Sequence, residues 1–322
     1  MDIPPGRELG DFLRSRRARI QPEEVGLPGH GRRRVPGLRR EEVAQLAGVS
    51  VDYYIRLEQG RGPSVSDAVL DAVGRVLRLD DTEQEYLRTV ARPATRRTSA
   101  ARRTSAAGPA PQRVRPGLRI LLDTIDRAPA FVLGRRMDVL AWNALGDAVV
   151  GFSQMAPEDR NMPRQVFLNP RSRELYPDWP AVAAETVAQL RLDAGNHPLD
   201  RQLATLVGEL SLGSADFRRL WADHQVKEKT YGAKRMRHPV VGELTLPYET
   251  LTVTGEPDQM LVVYTPKPGT QTEERLRLLA SWAATPPDGA DGADGADGAD
   301  GSDGSDRSVR VATDRTDLSD TP

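Results

Sequence analysis

Val51, Asp52 and Arg56 fall within six residues of one another, and their types suit the edges of bases. The Arg56 guanidinium can offer a two-pronged donor set to guanine O6 and N7. Asp52 cannot lie against phosphate; it can accept from cytosine N4, or pin Arg56 one helical turn away. Val51 can meet a thymine methyl, and Tyr53 stands at the margin of the same group. Arg39, Arg40, Ser50, Gln59 and Arg61 flank them where phosphates would pass, and are expected to position rather than specify. For Arg39 and Arg61 ordinary solvated charge is the alternative.

Two short helices must hold these groups. Leu38, Val43, Leu46 and Ala47 recur at the three- and four-residue spacing of one buried face. Gly48 can take the positive φ that ends a helix, and Ser50 suits the N-cap of the next. In that second helix Tyr54 and Leu57, with Val49, point inward, while Val51, Asp52, Ile55 and Arg56 point outward; Gly60 ends it. Helix, tight Gly-containing turn and polar-faced helix make a major-groove reader, with an ordinary helical hairpin as the alternative. The turn Ala47-Gly48-Val49-Ser50 and the exit Leu57-Glu58-Gln59-Gly60-Arg61 resemble the XRE family of lambda-repressor-like DNA-binding domains. By that resemblance Val51 and Asp52 match the first two base-reading positions and Arg56 a later one.

Other chemistry is poorly supplied. There is no Cys, so disulfides, thiolate metal sites and a thiol nucleophile are excluded. His30, His197, His224 and His238 show no helical metal-pair spacing, and a structural role is expected for them. No Gly-x-Ser-x-Gly elbow or Gly-rich phosphate loop occurs. No enzyme, metal or cofactor is expected. The N-terminus has no apolar signal region and no stretch is long enough to span a bilayer, so a cytoplasmic, nucleoid-associated protein is expected.

Charge is unevenly spread over the 322 residues. Residues 1–117 hold 22 Arg against 15 Asp and Glu; residues 286–322 hold 3 Arg against 10 Asp. A basic first third and an acidic end point to nucleic-acid contact at one end only.

Four segments follow. Residues 1–91 read as an all-α helix-turn-helix domain of five helices, opened by Leu9, Phe12 and Leu13, with Arg14, Arg16, Arg17 and Arg19 solvated or near phosphate. A long loop carries Arg32-Arg33-Arg34, either along phosphate or merely solvated. Ser64 is expected to cap the fourth helix. Residues 92–116, rich in Arg, Pro, Thr and Ala, read as a flexible linker, which could not transmit motion as a rod. Residues 117–285 read as an α+β domain with a small antiparallel sheet of four or five strands under helices. Within it, 167–179 reads as loop and the helices bearing Val182 and Leu203 as amphipathic. A parity change from Leu244, Leu246 and Tyr248 to Leu251 and Val253 implies a bulge or bend near Pro247. Residues 286–322, with their Asp-Gly-Ala/Ser triplets, read as a disordered acidic tail.

Val139-Leu140-Ala141-Trp142-Asn143, Phe167-Leu168-Asn169-Pro170, His238-Pro239-Val240-Val241-Gly242-Glu243-Leu244 and Tyr248-Glu249, in that order, resemble the ligand-binding domain of MmyB-like transcription regulators. The resemblance implies a PAS-like domain sensing a small, hydrophobic, fatty-acid-like molecule behind an XRE-type domain. Phe131, Met137, Trp142, Trp221 and Tyr264 are candidate ligand contacts by aromatic or soft apolar character, with plain core as the alternative. Asn143 is either a polar contact there or, as favoured, the N-cap of the following helix. The expectation is a transcription regulator that binds double-stranded DNA as a homodimer and responds to a ligand. The alternative is a DNA-tethered adaptor whose second domain binds a partner protein.

Overall fold

The computed structural model describes residues 5–28, 37–61, 65–91, 112–228 and 230–283. The Arg32–Arg34 loop, His30, Ser64, most of the proposed linker and the acidic tail lie outside the described residues.

Five helices build the first part: α1 (Pro5–Arg17), α2 (Arg40–Ala47), α3 (Val51–Glu58), α4 (Asp67–Val76) and α5 (Asp81–Ala91). Phe12, Leu13, Leu38, Val43, Tyr54, Leu57, Val73 and Leu87 close into one core. Two details differ from the sequence reading. The cap of α4 is Ser66, whose side chain accepts from the Val69 N–H, so Val65 precedes the helix. Arg16 and Arg17 are not solvated: Arg16 Nε lies 2.8 Å from Glu83, and Arg17 reaches Glu58 and the Leu38 carbonyl. Burying those guanidiniums is tolerable because each meets a carboxylate.

The second part begins with α6 (Pro116–Thr124) and adds β1 (Ala130–Leu133), β2 (Val139–Trp142), α7 (Ala144–Val150), α8 (Met162–Phe167), α9 (Ser172–Leu175), α10 (Trp179–Asn196), α11 (Arg201–Gly213), α12 (Ala215–Ala222), β3 (Tyr231–His238), β4 (Gly242–Val253), β5 (Glu256–Tyr264) and α13 (Gln271–Ala283). The five strands form one antiparallel sheet in the order β2-β1-β5-β4-β3. β5 is central and nearly continuous in apolar residues from Met260 to Tyr264, as a strand covered on both faces should be. One face, with Phe131, Leu244, Leu246, Tyr248, Val262 and Tyr264, meets the helices; the other, with Val132, Ala141, Val253 and Leu261, meets α6.

Those two faces explain the parity change in β4. Leu251 and Val253 belong to the α6 side, so no bend is needed at Pro247, which pairs in register with Ala233. The register shift lies between Thr252 and Val253 instead. The stretch from Phe167 to Trp179, expected as loop, carries the short helix α9, and His238 is the last residue of β3. The expected amphipathicity of α10 is also absent: Val182, Ala183, Thr186, Val187, Gln189, Leu190 and Arg191 are all buried. Only a narrow strip with Ala181 and Glu185 stays open to solvent, so neighbours enclose most of the circumference.

Candidate nucleic-acid interface and sensor core

The turn into α3 is built as its residue types require. Gly48 takes φ 68°, and its N–H donates to the Ala44 and Gln45 carbonyls. Ser50 Oγ then accepts from the Tyr53 N–H at 3.2 Å. Tyr54 and Leu57 are buried, which rolls Val51, Asp52 and Arg56 outward into solvent with Tyr53 half-exposed beside them. Arg39, Arg40, Ser50, Gln59 and Arg61 are exposed as well. All nine residues singled out for DNA thus have accessible surface around the exposed side of α3.

Their partners are specific. Arg56 Nε donates to the Asp52 backbone carbonyl at 3.3 Å, not to the Asp52 carboxylate, leaving that carboxylate to accept elsewhere. Arg40 is held by Glu58, its Nη2 lying 2.9 Å from Oε1, and this contact pushes the Arg40 pKa up. Glu58 is buried and also serves Arg17, so α1, α2 and α3 are stapled by one carboxylate. Glu58 was not singled out from the sequence, where nothing local marks it as the partner of Arg17 and Arg40.

In the second part the structure gathers some of the candidate ligand contacts. Phe131, Met137 and Tyr264 share one core, and Trp142 packs at its edge. The Phe131 ring lies 5.3 Å from Phe152 and 5.9 Å from Tyr264. Trp221 is elsewhere, stacked on Phe217 at 5.5 Å beside α10 and α11. Asn143 caps α7: its Oδ1 accepts from Gly146 and Ala130, and its Nδ2 donates to the Ile125 and Ala128 carbonyls. Those four bonds use its hydrogen-bonding capacity.

Lys234 was not singled out from the sequence. It is 5 % exposed, on the core parity of β3 with Met236 and His238, and its ammonium lies 5.8 Å from the centre of the Tyr176 ring. Burial pushes its pKa down. The opposing charge it feels is Glu185, whose carboxylate already pairs with Lys227 at 3.3 Å. Being one of four Lys in an Arg-rich chain, at a core-parity position, was the available signal. A cavity of about 600 Å³ lies between β4 and the start of α13 and is lined largely by polar groups, including Glu243, Thr245, Lys267 and Arg275.

The two parts are in contact, through groups that no local sequence pattern marks. Val226 is buried in the helix-turn-helix core and Leu192 of α10 packs against it. Arg191 Nη1 donates to Glu8 Oε1 at 2.7 Å and lies 3.0 Å from His224 Nδ1, while its guanidinium stacks 4.0 Å from the Trp221 ring. Tyr86 donates to the same Glu8 oxygen at 2.6 Å.

Two family models match. A helix-turn-helix domain covers residues 8–87, and the MmyB-like transcription regulator ligand binding domain covers residues 114–279, just over half of the chain. The chain belongs to the MmyB-like transcription regulators. As such it joins a DNA-binding domain to a ligand-binding one, and the order and type of elements agree with that pairing. No match to a curated protein was found. Among the described residues of this MmyB-like regulator, no helix is long and apolar enough to cross a membrane.

Proposed function

We propose that this protein reads a specific operator through Val51, Asp52 and Arg56 while Arg39, Arg40, Ser50, Tyr53, Gln59 and Arg61 hold the phosphates. The supporting observation is the outward face of α3, capped by Ser50 and backed by buried Tyr54 and Leu57. It acts in the cytoplasm on the nucleoid, and as a homodimer, since one reader helix gains affinity by pairing on two half-sites. The ligand is small, hydrophobic and fatty-acid-like. Its chain would enter among Phe131, Met137, Trp142 and Tyr264 by displacing side chains that are now packed, and its anionic end would meet Lys234, a buried ammonium that such a group would neutralise. Sedimentation of the full chain on a duplex selected from random sequence tests the DNA reading; a monomer that selects no duplex refutes it. Native mass spectrometry with palmitate tests the ligand reading, and no mass shift with palmitate or with a cell lipid extract refutes it.

A further inference from the structure

We infer that α10, clamped to the DNA-binding domain by Glu8 and Tyr86, is the element that couples sensor core to reader helix. The inference rests on the DNA-binding reading above.

Helix α10 has 18 residues, so it is about 27 Å long at the usual rise per residue. Its first half lies in the sensor core: Trp179, Val182 and Ala183 pack there, and the Trp179 indole N–H donates to the Val166 carbonyl and to Ser172 Oγ, both at 3.1 Å. Its middle, Val187 and Leu190, packs on α11 and α12. Its last turns reach the other domain. There Leu192 joins the helix-turn-helix core, Arg191 meets Glu8, and Gly195 lies so close to Tyr86 that a Cβ would stand 2.3 Å from a ring carbon. One stiff element therefore touches both the aromatic core and α5.

The clamp is polar and buried. The Arg191 side chain is 1 % exposed and Glu8 18 %. A second contact runs from Arg19 Nη2 to the Asp223 carbonyl at 3.1 Å. All of these lie on α1, α5 and the segment after α1, not on α2 or α3, so the docked arrangement leaves Val51, Asp52 and Arg56 exposed. Docking and DNA binding are compatible, and control by simple occlusion of the reader helix is not what this arrangement provides. Instead, any shift of α10 in the sensor core is delivered to the Phe12–Tyr86 contact, whose rings lie 5.0 Å apart in the same core that holds Tyr54 and Leu57 of α3. A ligand acts only through its different affinity for two states, and α10 supplies an element shared by both sites.

Coupling of binding free energies is reciprocal, so DNA can serve as the probe. Amide hydrogen exchange of the full chain is measured with and without a duplex that it has selected from random sequence. DNA should change exchange in α10, including Thr186 to Gln189, by roughly fivefold or more. Gly195→Val, which forces Tyr86 away, should still bind the duplex yet lose that remote change. Glu8→Gln, which keeps the shape and removes the charge, covers the case in which Gly195→Val does not fold, and should reduce the change. A wild-type α10 indifferent to bound DNA overturns the inference while leaving DNA recognition intact, as does an α10 response preserved in a folded Gly195→Val or in Glu8→Gln. Failure to select any duplex overturns the DNA-binding reading itself, and the inference with it.

Discussion

The carboxylate of Glu8 and the guanidinium of Arg191 meet at 2.7 Å across 183 positions of sequence. Residues so far apart in the chain fix α1 to α10 only if both are desolvated, which they largely are. Removing one partner strands the other, and the cost of breaking such a buried pair is about 3–5 kcal/mol. Arg191→Met and Glu8→Gln should each lower the urea midpoint of the full chain, and the double variant should recover part of the loss, because it no longer buries a lone charge. Additive losses in this cycle would mean that the two side chains do not interact.

His224 predicts how that contact responds to pH. Burial, followed by the charge of Arg191, pushes its pKa down to about 4 from 6.5; Glu8 and Asp11 oppose this and Arg16 adds to it. The docked form therefore prefers neutral His224. Its contribution is complete above pH 6.5, declines as the pH falls from 6.5 towards 4, and changes no further below that. The chain contains no Cys, so cysteines introduced at exposed Ala68 and Leu212 can carry a dye pair. The pair should report looser docking at pH 5 than at pH 7.5. His224→Asn, tolerated at the local φ of 52°, should flatten the profile; an unchanged profile would assign the response to other groups.

On the DNA side, Arg56→Ala should lose about 1–3 kcal/mol at one base position and relax preference there. Arg40→Ala should weaken specific and random duplexes alike. It should also lower thermal stability, because Arg40 shares buried Glu58 with Arg17. Competition binding on a library of single-base variants separates the two; equal losses everywhere for Arg56→Ala would remove its reading role.

Lys234→Met should raise the melting temperature of the free protein, since it relieves a buried ammonium paired with no carboxylate among the described residues. It should weaken palmitate while sparing the corresponding uncharged alcohol. Calorimetry with both compounds checks this, and equal loss of both would place Lys234 in packing alone.

Removing residues 286–322 should strengthen non-specific DNA binding at low salt, by deleting 10 Asp and only 3 Arg. A salt slope identical to that of the full chain would make the segment electrostatically inert.

The reader helix was legible because its information is local. Gly48, Ser50 and the spacing of Tyr54 and Leu57 each act within one turn, and each is found where those residue types demand. The sheet was legible in its strands but not in its coverage: Leu251 and Val253 showed a second apolar parity, yet only Val253 packs with α6, while Leu251 on the same face stays exposed. Glu58, Lys234 and the Arg191–Glu8 pair were not found, because buried charge looks in sequence like surface charge until its partner, dozens or hundreds of residues away, is in place. Arg16 and Arg17 misled for the same reason.

Val226, buried in the helix-turn-helix core, also sets a timetable. It is synthesised 135 residues after Ala91 ends α5. At ordinary elongation rates of about 5–20 residues per second, roughly 7–27 s separate the two. For that interval the nascent DNA-binding domain lacks Val226 from its core. A ribosome paused in that span would hold a DNA-binding domain whose core still lacks a residue that the second domain supplies.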